Sequence, residues 1–547
     1  MCPEARLVAR NEARTLDHEH DRPVPGKAGE DTRVNIHQVM LLEHDGGGIN
    51  QRQPGHENPC RLGESTTVRK PSAASDNLAG EISRATGKGQ PMMKWFAALT
   101  RPRRVTIISI VILVLLGGVL ATSSALVSRE MSQSRQSASA MPTPTPTPTA
   151  SRTCSVSDRA ADPRLANLQA EVLNATTGEV RFDRGGLTAS RAASVTKVPT
   201  MAAALAVLGP GYRVTTRVFS GAEPGSVVLV GGGDVTLSRT PSGHRTVYGN
   251  VAHLDALADQ ALKAYSADPA NVDVPLTKLI VDSSVFGGQA WQPSWNKKEI
   301  RDGYMPHITG LMVDGDRANP DEGTSPRSTN PVARAANAFA KLIGVTQIES
   351  GSAPADAKLL GSVKSPPVSA LMERIITYSD NTAAEMLARL TAIKVGAGNT
   401  FADIDAGTKQ GLANYGIGTA GLHFADGSGL SDDNAITPDY LNHLFVKVAA
   451  RDGNLGVILD NLPIARKKGS LSYSGRFEGP NAVVAGKLLA KTGWIDTGYT
   501  LSGIIHAKDG SLLTFTIYAL GDVSDSAKQA IDTLATGFYL CGNNLAR

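Results

Sequence analysis

Ser194-Val195-Thr196-Lys197 runs directly into Val198-Pro199-Thr200-Met201-Ala202-Ala203-Ala204-Leu205-Ala206-Val207-Leu208, an apolar stretch that reads as a buried helix. In a helix starting near Ser194, the residue three positions on lies over the same face, which brings the Lys197 amine within reach of the Ser194 hydroxyl. A serine hydroxyl is a poor nucleophile at neutral pH, and a desolvated, neutral lysine is one of the few side chains able to take its proton. The same spacing recurs at Ser294 to Lys297, but Pro293 precedes that serine and no apolar helix follows it, so it reads as a loop. Pro199 removes one early helix hydrogen bond, which is tolerable so near a helix start.

At 547 residues, 41% hydrophobic and 19% charged, the chain has room for two or three ordinary globular domains. A net charge of +4 without a basic stripe among aromatics gives no reason to expect nucleic acid. The four cysteines, Cys2, Cys60, Cys154 and Cys541, form no Cys-x-x-Cys pair, and no His-Glu-x-x-His occurs, so no metal site is expected.

Residues 1–104 mix charge, glycine and proline without a sustained apolar period, as expected of a cytoplasmic tail unable to bury a core. From Val105 to Ser128 there are 24 residues without a charge, long enough for a transmembrane helix. Lys94, Arg101, Arg103 and Arg104 precede it, against Arg129 and Arg135 after it, so the N-terminus is expected inside the cell and the rest outside the cell membrane. The alternatives are a buried core helix, or a cleaved signal segment with small residues at 121–125. Residues 129–153, with Pro142-Thr143-Pro144-Thr145-Pro146-Thr147-Pro148-Thr149, read as an extended linker.

Beyond the linker, residues 168–182 read as a β-hairpin, and residues 213–360 change texture to an inserted α+β region. Helical pattern resumes at 368–376 and 382–393. Strands are expected at 483–491, 500–506 and 512–520, and an amphipathic helix at 524–540. Two strands at the front and three at the back point to one antiparallel sheet flanked by helices, in a mixed α/β (α+β) domain made of residues 154–212 and 361–547.

Between the two middle helices stands Ser379-Asp380-Asn381, and in the first C-terminal strand Lys491-Thr492-Gly493. The order Ser-x-x-Lys, Ser-Asp-Asn, Lys-Thr-Gly is a known motif set of penicillin-reactive serine enzymes. Ser379 is placed to relay a proton between the Lys197 pair and a leaving amine, and the Asn381 amide to hold a substrate peptide group or the lysine. Lys491 and Thr492 offer a cation and a hydroxyl donor to a terminal carboxylate. Gly493 lets a substrate backbone lie against the strand edge. The blander alternative is that Ser379 and Asn381 cap the helix that follows and that Lys491 is a solvated strand end.

With these motifs, residues 154–547 resemble the class C low-molecular-mass penicillin-binding proteins, the D-alanyl-D-alanine carboxypeptidase/endopeptidase family. About 180 residues separate Lys197 from Ser379, an insertion by which that family is recognised. Gly231-Gly232-Gly233-Asp234-Val235-Thr236-Leu237 and Asp426-Gly427-Ser428-Gly429-Leu430-Ser431 are similar to its further signatures. The resemblance implies a penicilloyl-serine transpeptidase (β-lactamase-like) fold and a serine carboxypeptidase/endopeptidase acting through an acyl-enzyme on peptidoglycan stem peptides ending in D-Ala-D-Ala. It also implies acylation by β-lactams, with no cofactor. Ser194 is then the nucleophile and Lys197 its base, with Ser379, Asn381, Lys491, Thr492 and Gly493 completing the site. The backbone N–H groups of Ser194 and Trp494 form the oxyanion hole. Trp494 stands where the family usually carries a small or hydroxylic residue, and its indole is expected to narrow the cleft.

A serine β-lactamase and a non-catalytic wall-binding protein on the same fold are the competing readings. The long insertion and the missing Glu-x-x-Leu-Asn-type motif disfavour the first, and the intact motifs disfavour the second. Cys154 and Cys541, the only cysteines beyond the membrane segment, are expected to form a disulfide in an oxidising compartment; the alternative is two unpaired thiols.

Overall fold

The computed structural model describes residues 152–546. The expected tail, membrane span and most of the linker lie outside the described residues. Among the described residues, no helix is long and apolar enough to cross a membrane.

The first strands are the hairpin β1 (Asn167–Asn174) and β2 (Val180–Arg184). A 3-10 turn, Ala193–Thr196, leads into α1 (Lys197–Val207). The inserted region supplies β3 (Thr215–Ser220), β4 (Ser226–Val230), α2 (Leu254–Ser266), β5 (Lys278–Asp282), α3 (Pro331–Ile343), β6 (Gln347–Ser350) and β7 (Leu359–Lys364). After it come α4 (Asn381–Lys394), α5 (Pro438–Ala449), β8 (Leu488–Ile495), β9 (Gly498–His506), β10 (Leu512–Leu520) and α6 (Ala527–Cys541).

The main sheet has the order β2-β1-β10-β9-β8, antiparallel throughout, so the two ends of the domain meet where β1 pairs with β10. Strands β9 and β10 are almost wholly buried because helices cover both faces. On one face, Ile531, Leu534 and Phe538 of α6 pack against Leu501, Phe515 and Ile517, each large side chain contributing about 1.5–3 kcal/mol by burial. On the other face, α1 and α4 pass through the largest core, buried at every position from Lys197 to Leu205 and from Thr382 to Ala392. Cys154 and Cys541 are bonded, their Cα atoms 5.4 Å apart, which ties the start of the domain to the end of α6.

The inserted region builds a second sheet, β6-β5-β4-β3-β7, parallel on one side and antiparallel on the other. Its helix α3 shows why these residues form helices: Asn330 caps it by accepting from the Ala333 N–H at 3.0 Å, Pro331 opens it, and left-handed Gly344 ends it. Residue 360 falls inside β7, so this sheet ends at Lys364. The chain's exit is pinned to its entry there, with Ser365 donating to the Val214 carbonyl and Val214 donating to Ser365 Oγ.

The first C-terminal strand runs from Leu488 to Ile495 and not from 483 to 491. Gly479–Val484 forms a 3-10 segment, and Gly486, at φ 71°, breaks extended backbone before the strand begins. Lys491-Thr492-Gly493 therefore sits mid-strand, on the outermost strand of the sheet.

Candidate active site

The turn holding Ser194 is 3-10 and not α-helical; residues three apart eclipse one another in such a turn, so Lys197 stands directly over Ser194. Lys197 Nζ lies 2.8 Å from Ser194 Oγ, 2.7 Å from Asn381 Oδ1 and 2.7 Å from the Ser428 carbonyl oxygen. Lys197 is fully buried, and burial lowers its pKa to about 8 despite the opposing pull of Asp426, Glu385 and Asp380.

Ser379 and Asn381 project from the start of α4. Lys491 Nζ, also fully buried, donates to Ser379 Oγ at 2.8 Å and to the Thr492 carbonyl at 2.8 Å. Burial, reinforced by nearby Lys197, pushes the Lys491 pKa well below its usual value. Ser194, Lys197 and Asn381 thus form one set of contacts, and Ser379, Lys491 and Thr492 another, joined through the backbone at Asp380. Lys491 is no solvated strand end, and the cap of α4 is Asp380, which accepts from the Ala383 N–H at 2.9 Å.

The backbone bends sharply at both motif serines. Ala193, before Ser194, has φ 46°, and Ser379 has φ 62°, conformations that cost a non-glycine residue about 1–3 kcal/mol each and cluster at functional sites. Gly429 explains how Ala193 is accommodated: a Cβ there would fall 1.8 Å from the Ala193 carbonyl oxygen. Gly493 is needed in the same way, since a Cβ would fall 2.9 Å from Ser194 N and 2.2 Å from Thr500 Oγ1. The space beside the Ser194 N–H is therefore kept clear by the strand.

Trp494 does not narrow that space. Strand alternation puts its side chain on the face opposite Gly493, where the ring packs on Tyr499, its cross-strand partner, with centroids 6.3 Å apart. Ser294 is remote in role from Lys297: its hydroxyl bonds Gln292 and, at 2.6 Å, Ser431.

Several residues essential to this geometry went unread in the sequence. Glu385, one turn into α4, accepts from the N–H groups of Gly427 and Ser428, aiming the Ser428 carbonyl at Lys197; burial, with Asp426 adding to it, raises its pKa to about 8. Asp426 closes the same loop by accepting from Gly429, Ser431 and the Trp295 indole N–H. Ser470 Oγ lies 2.8 Å from Thr492 Oγ1. Asp380, named in the sequence only as the middle of a motif, is gripped by Arg317 and Arg374. Asp426 lies in a signature already noted. The other contacts join distant stretches, with no local pattern to mark them.

A family model described as D-Ala-D-Ala carboxypeptidase 3 (S13) matches residues 153–338 and 323–538. The chain belongs to that family. It is accordingly a D-Ala-D-Ala carboxypeptidase by class, a hydrolase. A carboxypeptidase of Mycobacterium tuberculosis is 33% identical over 396 residues, covering 71% of this chain and 84% of the relative. Carboxypeptidase DacB of Mycolicibacterium smegmatis is 32% identical over 387 residues, covering 70% and 82%. Among solved structures, penicillin binding protein 4 from Haemophilus influenzae superposes with a TM-score of 0.58 at 19% identity, over 70% of this chain and 98% of that one, a likeness of fold.

Proposed function

We propose that the protein is a membrane-anchored serine DD-peptidase that cleaves the terminal D-alanine from peptidoglycan stem peptides outside the cell, and that β-lactams acylate it at Ser194. The observation that carries this reading is the environment of Lys197. Its three neighbours are two carbonyl oxygens, which only accept, and one hydroxyl. As an ammonium Lys197 donates one N–H to each of these three acceptors; on losing a proton it keeps two for Asn381 and Ser428 and turns a lone pair to the Ser194 O–H.

Ser194 Oγ attacks the carbonyl carbon of the scissile peptide while Lys197 takes its proton. The oxyanion forms beside the N–H groups of Ser194 and Trp494. The proton passes by way of Ser379 to the departing D-alanine amine, the C–N bond breaks, and water later hydrolyses the ester to free Ser194. The substrate's terminal carboxylate meets Thr492 and Lys491, and the nearby anion favours the charged form of Lys491 that burial disfavours. A β-lactam follows the first half of this course, except that its leaving amine stays tethered.

The span at 105–128 is the proposed anchor, and 129–153 the proposed spacer. The experiment is to incubate the purified protein with muropeptides ending in D-Ala-D-Ala and follow products by mass spectrometry. Release of one alanine is expected, and unchanged muropeptides alongside an unmodified Ser194 contradict the reading.

A further inference from the structure

The middle residue of Ser379-Asp380-Asn381 is held from the inserted region. Asp380 Oδ2 pairs with Arg317 Nη2 at 2.6 Å and with Arg374 Nε at 3.2 Å, while Oδ1 accepts from the Ala383 N–H and from the Tyr248 hydroxyl at 3.4 Å. Arg317 and Asp380 side chains are 1% and 2% exposed. Arg317 also donates to Tyr248 Oη at 2.7 Å and lies over the Tyr248 ring at 4.9 Å. Its remaining N–H groups reach the carbonyls of Asp314 and Gly323. Arg317 and Tyr248 both belong to the inserted region.

Arg317 is presented by an unusual turn. Asp314, Gly315 and Asp316 all have positive φ, at 53°, 60° and 57°. Such backbone persists only where its surroundings over-determine it, and here they do: Asp314 pairs with Arg239 at 2.7 Å, Asp316 with Arg334 at 3.0 Å and with the Ser328 hydroxyl, and Arg327 donates to the Gly315 carbonyl. A buried ion pair in so rigid a frame adds little net stability, but it fixes one arrangement, and removing one partner strands the other charge. A second link comes from the same region, as Asn381 Nδ2 donates to the Tyr304 carbonyl at 3.5 Å.

Whatever holds Asp380 fixes its two neighbours, the strained Ser379 at Lys491 and Asn381 at Lys197. We infer that Arg317, seconded by Tyr248, is a positioning residue for acylation, and that the inserted region is thereby a working part of the catalytic centre and not an appended module. This rests on the serine-acylation reading above. A displacement of about 1 Å in a catalytic group costs about 10²-fold in rate, so the inference predicts a defect in the chemical step with little change in binding.

The test uses full-length protein in detergent and a fluorescent penicillin, separating the acylation rate constant from the initial dissociation constant by stopped flow. Arg317→Ala is expected to lower the acylation rate about tenfold to a hundredfold with the dissociation constant within about twofold. Arg317→Lys, which keeps the charge, should recover part of the loss, and Tyr248→Phe, which removes one hydroxyl, should show a smaller defect of the same kind. Lys278→Ala, on β5 among Glu223 and Glu349, should acylate normally. Circular dichroism and melting report folding; if Arg317→Ala does not fold, Arg317→Lys and Tyr248→Phe decide. Folded Arg317 and Tyr248 variants that acylate within twofold of the unmodified protein, or that lose binding and not rate, overturn the inference. Failure of the unmodified protein to acylate would instead strike the underlying reading.

Discussion

Fully buried Lys197 places its Nζ 2.8 Å from Oγ of the partly exposed Ser194, and the two residues straddle the change from a 3-10 turn to α1. The eclipsed spacing of the turn sets the distance, and burial sets the protonation.

The first consequence is a pH dependence. In the proposed mechanism the neutral amine is the base, and burial lowers its pKa to about 8, so acylation should rise with pH through about 8 and level above it. Acylation by penicillin measured from pH 6 to 10 checks this. Lys197→Arg keeps a cation that cannot lose its proton, and should slow acylation at least about 10²-fold at every pH.

Gly493→Ala tests the approach of strand and nucleophile. Its Cβ would meet Ser194 N and Thr500 Oγ1, so the oxyanion site should be blocked, with acylation down about 10²–10³-fold while circular dichroism shows the fold retained. Acylation within a few-fold of the unmodified protein would place the oxyanion elsewhere.

The bond between Cys154 and Cys541 closes a loop of nearly the whole domain. Replacing both by serine should lower unfolding free energy by about 2–4 kcal/mol in urea titrations. Acylation at room temperature should be unaffected, because the bond lies at the end of α6, across the main sheet from the core that holds Ser194.

The proposed topology predicts that protease added to intact protoplasts removes the penicillin-labelled domain. A domain protected until the membrane is opened would contradict export.

The sequence marked the residues that come together because each motif is local: Ser194 and Lys197 share a turn, Ser379 and Asn381 flank one residue, and Lys491 to Gly493 are consecutive. The antiparallel sheet was likewise readable from strands at both ends of the domain. Strand boundaries were not, since Val483 and Val484 have strand propensity but are curled by Gly479-Pro480 and stopped by Gly486. The grip of Arg317 on Asp380 and of Glu385 on the Ser428 loop was invisible, because a buried polar side chain is placed by tertiary packing and not by the residues beside it in sequence.

The most direct measurement maps the penicillin adduct by tryptic digestion and mass spectrometry. A stable adduct on the peptide containing Ser194 is predicted, lost in Ser194→Ala and kept in Ser294→Ala. An adduct on any other serine, or one that survives Ser194→Ala, would contradict the account.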